Sequence, residues 1–526
     1  MPSLLSSPSL PCVRTVLAAV IIVAAIAGCA SLPSDVPRTP SFALADAADA
    51  QLARQFADDA SAHPGSSGVL LLGNGLDAYV ARAVLARRAE RTIDAQYYLY
   101  HDDLTGRLFT RELLDAAGRG VRVRLLVDDI DFGGREFGAA VLSLHPNMEV
   151  RLFNPFARGS PRAVQFATRF GRITRRMHNK SFIVDGTVAV IGGRNIGDEY
   201  FDADPALNFT DLDALVVGPV VREASTSFDA FWNHELAYPA EALNRRALDP
   251  DAMDALRNRF TQQENSRAAA RFMEALSDSA LADRLRGGKP DLEWVDARLV
   301  SDGPEKIEQP RGETAYHLAP ELGALFSSAR DELVIISPYF VPGRAGVEFL
   351  GDMVERGVRV RVLTNSLAST DVPVVHAGYA RYRRALLRAG VEIHEARSLD
   401  GSGGSAVDPS GSSAASLHAK SFVVDRRRVF IGSLNLDPRS VRENTEMGLV
   451  IDSPAIAGDM MAWYETFVAD TAYQVQLEPS HAGMDRLVWR ANGADGPRTW
   501  HHEPEASLPR RLAAALVRWL PIESQL

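Results

Sequence analysis

Cysteine is almost absent from this chain of 526 residues: there are two, Cys12 and Cys29, both within the first 30 positions. No disulfide framework can staple the body of the protein, so its cohesion has to come from buried apolar surface. A membrane-spanning run is also missing at the N-terminus. The apolar stretch Val16–Ala27 has 12 residues, short of the roughly 20 that cross a bilayer as a helix. Net positive charge is lacking too, since 57 Lys and Arg against 67 Asp and Glu leave −10. That balance disfavours a broad nucleic-acid footprint, because phosphate backbones are held mainly by summed cationic charge. Outside the motifs described below, no cluster of His, Asp or Glu has metal-ligand spacing. What remains is an ordinary soluble composition, 46% hydrophobic and 24% charged, on a chain long enough for two or more well-filled domains.

Arg14, the short apolar run and the small residues that end it describe an export signal. The stretch "IAGC" (26–29) resembles a bacterial lipoprotein box. That implies lipidation of Cys29, loss of a signal peptide at 1–28, and a cell-envelope location facing the periplasm. Ala30, in place of Asp, points in such lipoproteins to the outer membrane. The following "SLPSDVPRTP" is rich in Pro and Ser and reads as part of a tether over 29–65.

The chain repeats itself. "MHNKSFIVDGTVAVIGGRN" (177–195) is matched by "LHAKSFVVDRRRVFIGSLN" (417–435), and "GVRVRLLVDD" (120–129) by "GVRVRVLTNS" (357–366). The offset is 240 residues at His178/His418 and 237 at Gly120/Gly357. Alternating Val and Arg mark strands. "TIDAQYYLY" (92–100) and "LVIISPYFVP" (333–342) add a strand to each half, as do "MEVRLFNP" (148–155) and "VEIHEA" (391–396). "DLDALVVG" (211–218) and "EMGLVID" (446–452) close the two halves. The expected fold is α/β: two homologous halves, each a mixed sheet flanked by helices, packed around one shared site. The halves span 66–244 and 316–475, with a helical connection at 245–315 and a C-terminal extension at 476–526. A Gly/Ser loop, 400–416, leads into the second hairpin.

Within each hairpin, His178 and Lys180, or His418 and Lys420, lie two apart and share one face of a strand. Asp185-Gly186 is a turn signal between two strands. Asp185 and Asp425 have the opposite parity, so they fix the hairpin and do not touch a substrate. Gly192-Gly193 and Gly432-Ser433 admit close backbone approach, and Asn195 and Asn435 supply neutral donors. An architectural repeat would need its Gly and apolar residues to recur, but not its His and Lys.

The spacing His-x-Lys-x4-Asp-x6-Gly-(Gly/Ser)-x-Asn resembles the duplicated motif of the phospholipase D superfamily. "QYYLYHDDLTGRL" (96–108), "EVRLFNPF" (149–156), "GGRNIGDEYF" (192–201) and the closing "LPIESQL" (520–526) look like its cardiolipin synthase C branch. The resemblance implies a catalytic set of His178, Lys180, Asp185, His418, Lys420 and Asp425. One histidine, taken as His178, attacks phosphorus, and His418 serves as acid and base. Lys180, Lys420, Asn195 and Asn435 would hold the phosphate oxygens, with no metal or other cofactor. Glu446 and Asp211 are expected to orient the histidines.

Such a chain would transfer a phosphatidyl group to phosphatidylglycerol, with phosphatidylethanolamine a candidate donor, giving cardiolipin. Hydrolysis to phosphatidic acid, a nuclease, and a silent lipid-binding scaffold are the alternatives. A monomer with an intramolecular two-motif site, working at a membrane surface and without nucleic acid, is expected. Arg158, Arg162, Arg169, Arg172, Arg175 and Arg176, interleaved with Phe156, Phe166 and Phe170, suit anionic headgroups beside acyl chains. Leu508, Leu512, Ala515, Leu516 and Trp519 fall at helical spacing beside Arg510, Arg511 and Arg518, as in a basic amphipathic helix.

Overall fold

A computed structural model describes residues 32–518, apart from 45–46, 169, 205–206, 287, 311, 399–414, 480–484 and 494–495. The export signal with Cys29 and Ala30, most of the Gly/Ser loop, Arg169, Trp519 and the closing "LPIESQL" lie outside those residues. Among the described residues no helix is long and apolar enough to cross a membrane.

The repeat in the sequence is a repeat in space. In the first half, Ser67–Leu72, Asp213–Val217, Val188–Gly192, Ser181–Val184, Thr92–Tyr97, Arg122–Asp128, Met148–Phe153 and Ala237–Pro239 lie side by side in that order. The second half repeats the order with Glu293–Ser301, Met447–Asp452, Arg428–Gly432, Lys420–Val424, Glu332–Ile336, Arg359–Asn365, Glu392–Ala396 and Ala472–Glu478. In each, three neighbouring strands run parallel through helical crossovers such as Leu104–Gly118 and Gly343–Glu355. The other pairings are antiparallel. The two sheets join edge to edge where Ser67 pairs with Val295. One apolar cluster takes Met177, Ile183, Ile191 and Phe228 from the first half and Val423, Ile431, Met447 and Met460 from the second. The halves thus share a core, and that core fixes their relative orientation.

Each Val-Arg strand turns one arginine inward. Arg124 pairs with Asp94 at 2.6 Å and Asp229 at 2.8 Å, and Arg361 with Glu332 at 2.6 Å and Glu465 at 2.7 Å. The carboxylates come from the neighbouring strand and from the long helices Pro219–Trp232 and Pro454–Thr471, so each buried cation is compensated locally.

Three segments depart from expectation. The connection is helical in Ala252–Glu264, Arg267–Ser277 and Ala280–Arg286, but Glu293–Ser301 is a strand of the second sheet. Glu293, Asp296 and Arg298 are exposed and disguise the alternation. The C-terminal extension is partly sheet, since Arg486–Gly493 and Gly496–Trp500 prolong the second half. The expected tether is docked. Leu32 and Val36 pack on the first core, Ser41 N and Ala43 N donate to Asn233 and Asp229, and Gln51–Ala62 is a helix. The carbonyls of Thr39 and Ser41 accept from the buried guanidinium groups of Arg151 and Arg124 at 2.8 and 2.7 Å. Buried arginine has donors to spare, and this extended segment satisfies them.

Asp185 and Asp425 close the hairpins away from any cleft. Asp185 and Gly186 have φ of +51° and +60°, and Asp425 and Arg426 +52° and +50°, consecutive left-handed residues as a type I′ turn requires. The Asp185 carboxylate accepts from Glu90 N, Arg91 N and Thr92 N at 3.1, 2.7 and 2.8 Å. Asp425 accepts from Arg330 N, Asp331 N and Glu332 N at 3.1, 2.8 and 3.0 Å. A place for either in the catalytic set is therefore corrected: each pins its hairpin to the start of a central strand. Asp185→Ala strands three amides and is expected to cost about 2–4 kcal/mol. Thermal unfolding should show the loss, while the Michaelis constant of the folded fraction stays unchanged.

Candidate active site

Each histidine is delivered against the opposite half. Met177 bridges Thr445 in parallel, with His178 N donating to Thr445 O at 2.8 Å and Thr445 N to Arg176 O at 2.9 Å. In the other copy Ala415–Leu417 pairs in parallel with Asn208–Thr210, and His418 N and Ala419 N donate to Thr210 O at 2.8 and 2.9 Å. Asp128 and Asn365, at the ends of the Val-Arg strands, steady these approaches by accepting from Met177 N at 2.9 Å and Leu417 N at 3.1 Å. The residue after each threonine is the acid. Consequently Glu446 meets His178 Nδ1 at 2.7 Å, and Asp211 meets His418 Nδ1 at 2.5 Å. The acids sit where expected, but the pairing is crossed: each carboxylate holds the imidazole of the other half.

A proton on Nδ1 donated to the carboxylate leaves Nε2 as the reactive nitrogen. Both rings are nearly buried, 7% and 6% exposed. Burial, reinforced by Lys180 and Lys420, holds the His178 imidazolium well below its usual range, so this ring stays neutral. His418 is lowered by burial and Lys420 while Asp211 and Asp371 oppose the shift. Burial would raise Asp211, but the charges of Lys420 and His418 outweigh it and bring the carboxyl to about 2. Glu446 is pushed up by burial, against Lys180 and Ser433, to about 7. Burial also brings Lys420 down to about 8 and Lys180 well below the ammonium range.

The lysines are 1% exposed. Lys180 Nζ donates to His178 O at 2.6 Å and sits 5.2 Å from the centre of the Tyr98 ring, and Lys420 Nζ donates to His418 O. Asn435 Oδ1 is buried and has no partner among the described residues. Asn195 differs: its Oδ1 accepts from Leu99 N at 3.1 Å and its Nδ2 donates to Tyr200 Oη at 2.7 Å. As a phosphate donor it would have only its second amide hydrogen.

Aromatic walls were not anticipated. Tyr98 stands edge-on to His178 at 4.7 Å, Tyr200 edge-on to His418 at 5.2 Å, and Phe209 stacks on His418 at 4.9 Å. Tyr98 just past a strand, Tyr200 in a single helical turn and Phe209 in a short strand look like core in the sequence, so only their closeness to the motifs in chain order could have flagged them. The arginine-rich stretch, in contrast, is largely structural. Arg176 is buried against Asp128 at 2.6 Å, Arg175 pairs with Glu443 at 2.8 Å, and Arg158 with Asp129 at 2.6 Å. Arg162 and Arg176 lie over Phe156, itself 1% exposed. These cations hold the chain leading to His178, and Arg172 is the exposed one among those whose side chains are described. His101, Asp103 and Glu199 form the one ligand-type cluster among the described residues. Both oxygens of Asp103 also accept backbone amides, from Gly106 and Asp198, and His101 Nδ1 lies 3.2 Å from Glu199.

If Glu446 must be ionised to accept from Nδ1, kcat/KM should rise as pH climbs through about 7 and fall as Lys420 loses its proton near 8. Glu446→Gln should lower turnover on the order of 10²–10⁴-fold and flatten the acid limb, with far-UV dichroism unchanged. Stopped-flow and steady-state pH profiles check both.

The family described as cardiolipin synthase, phospholipase D-like domain matches residues 84–232 and 322–468. Cardiolipin synthase C of Escherichia coli (strain K12) is 42% identical over 469 residues, covering 88% of this chain and 97% of its own. Cardiolipin synthase A of Pseudomonas syringae pv. syringae (strain B728a) is 30% identical over 425 residues, 78% of this chain and 71% of its own. In fold the chain resembles phosphatidylserine synthase of Haemophilus influenzae Rd KW20, with a TM-score of 0.55 at 13% identity over 90% of this chain and 100% of that one. A duplicated sheet, a duplicated His-Lys motif and these likenesses have one common source: the chain belongs to the phospholipase D superfamily, in its cardiolipin synthase branch.

Proposed function

We propose that the protein is a phosphatidyl transferase that makes cardiolipin. His178 Nε2 attacks the donor phosphorus while His418 Nε2–H gives its proton to the departing headgroup alcohol. His418 then takes the proton of a phosphatidylglycerol hydroxyl, whose oxygen attacks phosphorus, breaks the P–N bond and frees His178. Lys180 and Lys420, with the Asn435 amide, face the charge that gathers on the phosphoryl oxygens. The crossed carboxylate–imidazole pairs carry this reading. They supply one neutral ring beside a carboxyl of about 7 and one ring opposite a carboxylate of about 2, the unequal pair that a nucleophile and an acid require.

The test is purified protein with labelled phosphatidylethanolamine and phosphatidylglycerol in vesicles. Cardiolipin is expected. Phosphatidic acid alone would make the protein a hydrolase, and cleavage of DNA without lipid turnover would make it a nuclease. His178→Ala and His418→Ala should each lose at least about 10³-fold, and only His418→Ala should retain the covalent phosphatidyl adduct after denaturation in detergent at neutral pH.

The partner is a bilayer surface, reached through lipidation of Cys29 and through the helix Leu508–Val517. Leu508, Leu512 and Leu516 are 62%, 57% and 72% exposed along one face, beside Arg511 and the exposed Arg518 and with no acid in 508–518. The opposite face packs Ala514 with Ala377 and Leu367, and Arg510 donates to Thr370 O. Such a helix lays its leucines among acyl chains and its arginines among anionic headgroups. Replacing the three leucines by serine should lower flotation with phosphatidylglycerol vesicles on the order of tenfold or more, with the thermal midpoint unchanged.

A further inference from the structure

The duplication is also broken behind the strands that lead into the active site. Tyr100 bridges Ile196 in the first half as Phe340 bridges Leu436 in the second, and His101 N donates to Ile196 O as Val341 N donates to Leu436 O. Positions therefore correspond through this region at the spacing of His178 and His418. In the first half two aromatic rings, Tyr97 and Phe201, pack behind these segments. Tyr97 Oη accepts from Arg82 Nε at 3.0 Å, the Arg82 guanidinium lies 5.4 Å from the Phe201 ring centre, and Tyr79 stands edge-on to Phe201 at 5.3 Å. Tyr97 and Phe201 are fully buried. The corresponding residues of the second half are Ser337 and Val441.

Beside Val441, where the first half carries Phe201, lies a groove of about 490 Å³ walled by Phe340, Phe349, Leu436 and Val441. That volume lies within the roughly 300–1,000 Å³ of small-molecule sites. Its two walls continue directly from the active site: Leu436 follows Asn435, and Phe340 follows Tyr339, whose hydroxyl donates to Asp371 at 2.6 Å. Arg344 and Arg442 stand exposed at the rim, and neither has a carboxylate partner among the described residues. Asp437, the acid in the lining, is turned to Ser440 N at 2.8 Å as a helix cap. An apolar trough with unpaired cations at its lip is complementary to an amphiphile that carries an anionic group above a hydrocarbon chain.

We propose that this groove holds the second phospholipid, with an acyl chain between Phe340 and Val441 and its phosphate on Arg344 and Arg442. The inference rests on the transferase reading above. The donor phosphate occupies the gap between the two histidines, so a phosphate at the rim belongs to the lipid that brings its own, the acceptor whose hydroxyl receives the phosphatidyl group. Holding that hydroxyl over the phosphohistidine gives it a local concentration with which bulk water must compete. The same fold without the groove would hydrolyse.

The experiment measures cardiolipin, phosphatidic acid and released headgroup in vesicles of labelled phosphatidylethanolamine with a graded content of phosphatidylglycerol. Val441→Trp, which refills the groove, and Arg344→Ala with Arg442→Ala, which strip the rim, should each raise the apparent KM for phosphatidylglycerol at least about tenfold. Product should shift from cardiolipin to phosphatidic acid, and the KM for the donor should move far less. Lysine at both rim positions should restore most of the transfer. An unchanged product ratio in both variants, or a parallel fall in headgroup release and cardiolipin, would overturn the assignment. Should Val441→Trp fail to fold, the exposed rim variants still decide it. A wild-type protein that forms phosphatidic acid and no cardiolipin at any phosphatidylglycerol content would refute the transferase reading itself, whatever the groove variants do.

Discussion

Two hydrogen bonds across the interface, from His178 to Glu446 and from His418 to Asp211, depend on everything else being in register. Neither histidine is oriented by its own half. Each needs the partner half's terminal strand, and each strand is held there by the short parallel pairings at Thr445 and Thr210. Separating the halves would expose the shared core and leave two imidazoles without their acids. This is why one half alone would be a scaffold without a defined tautomer, and why the second copy of the motif is a requirement of the site.

Burial around that interface is what gives the side chains their chemistry. Lysine, histidine and carboxylate are here all nearly excluded from water, which penalises every charged form and strengthens every pairwise field. His178, buried and close to Lys180, Lys420, His418 and Arg439, is left neutral. Lys420 stays charged near neutrality only because carboxylates face it. Such a cluster, costly in an empty site, is eased by the phosphodiester that enters it, because the incoming anion is the missing counter-charge.

The period-two strands, the Asp-Gly turn and the spacing of the His-Lys hairpins made the fold and the placement of the two His-Lys pairs legible, since each follows from local geometry. The sharing of acids between halves was invisible, because no spacing along one copy tells which copy its terminal strand will face. Glu293–Ser301 escaped notice for a related reason: a strand at the junction of the two sheets exposes Glu293, Asp296 and Arg298 where a buried strand would carry Val. The arginines before His178 misled in the opposite direction. A run of cations without acids reads as a surface, yet Arg176 and Arg175 find Asp128 and Glu443 from distant segments. Residues 32–44, which read as a tether, supply carbonyls to two buried arginines that local sequence cannot pair with them.

A duplicated site catalysing an asymmetric reaction has to break its own symmetry, and one coupled pair of differences does so. A Cβ placed at Gly193 would lie 2.1 Å from Asp211 Oδ1, so the shorter acid occupies the space of the missing side chain. At the matching position Ser433 is tolerated, and its hydroxyl donates to Glu446 Oε2 at 2.5 Å. Glycine with aspartate brings an ionised carboxylate against His418; serine with glutamate sets a carboxyl that titrates near 7 against His178. Exchanging either member alone would clash with or abandon the other. Both rings are held below their usual range, so the asymmetry lies in the acids that face them, and it goes with whether the neighbouring residue has a side chain at all.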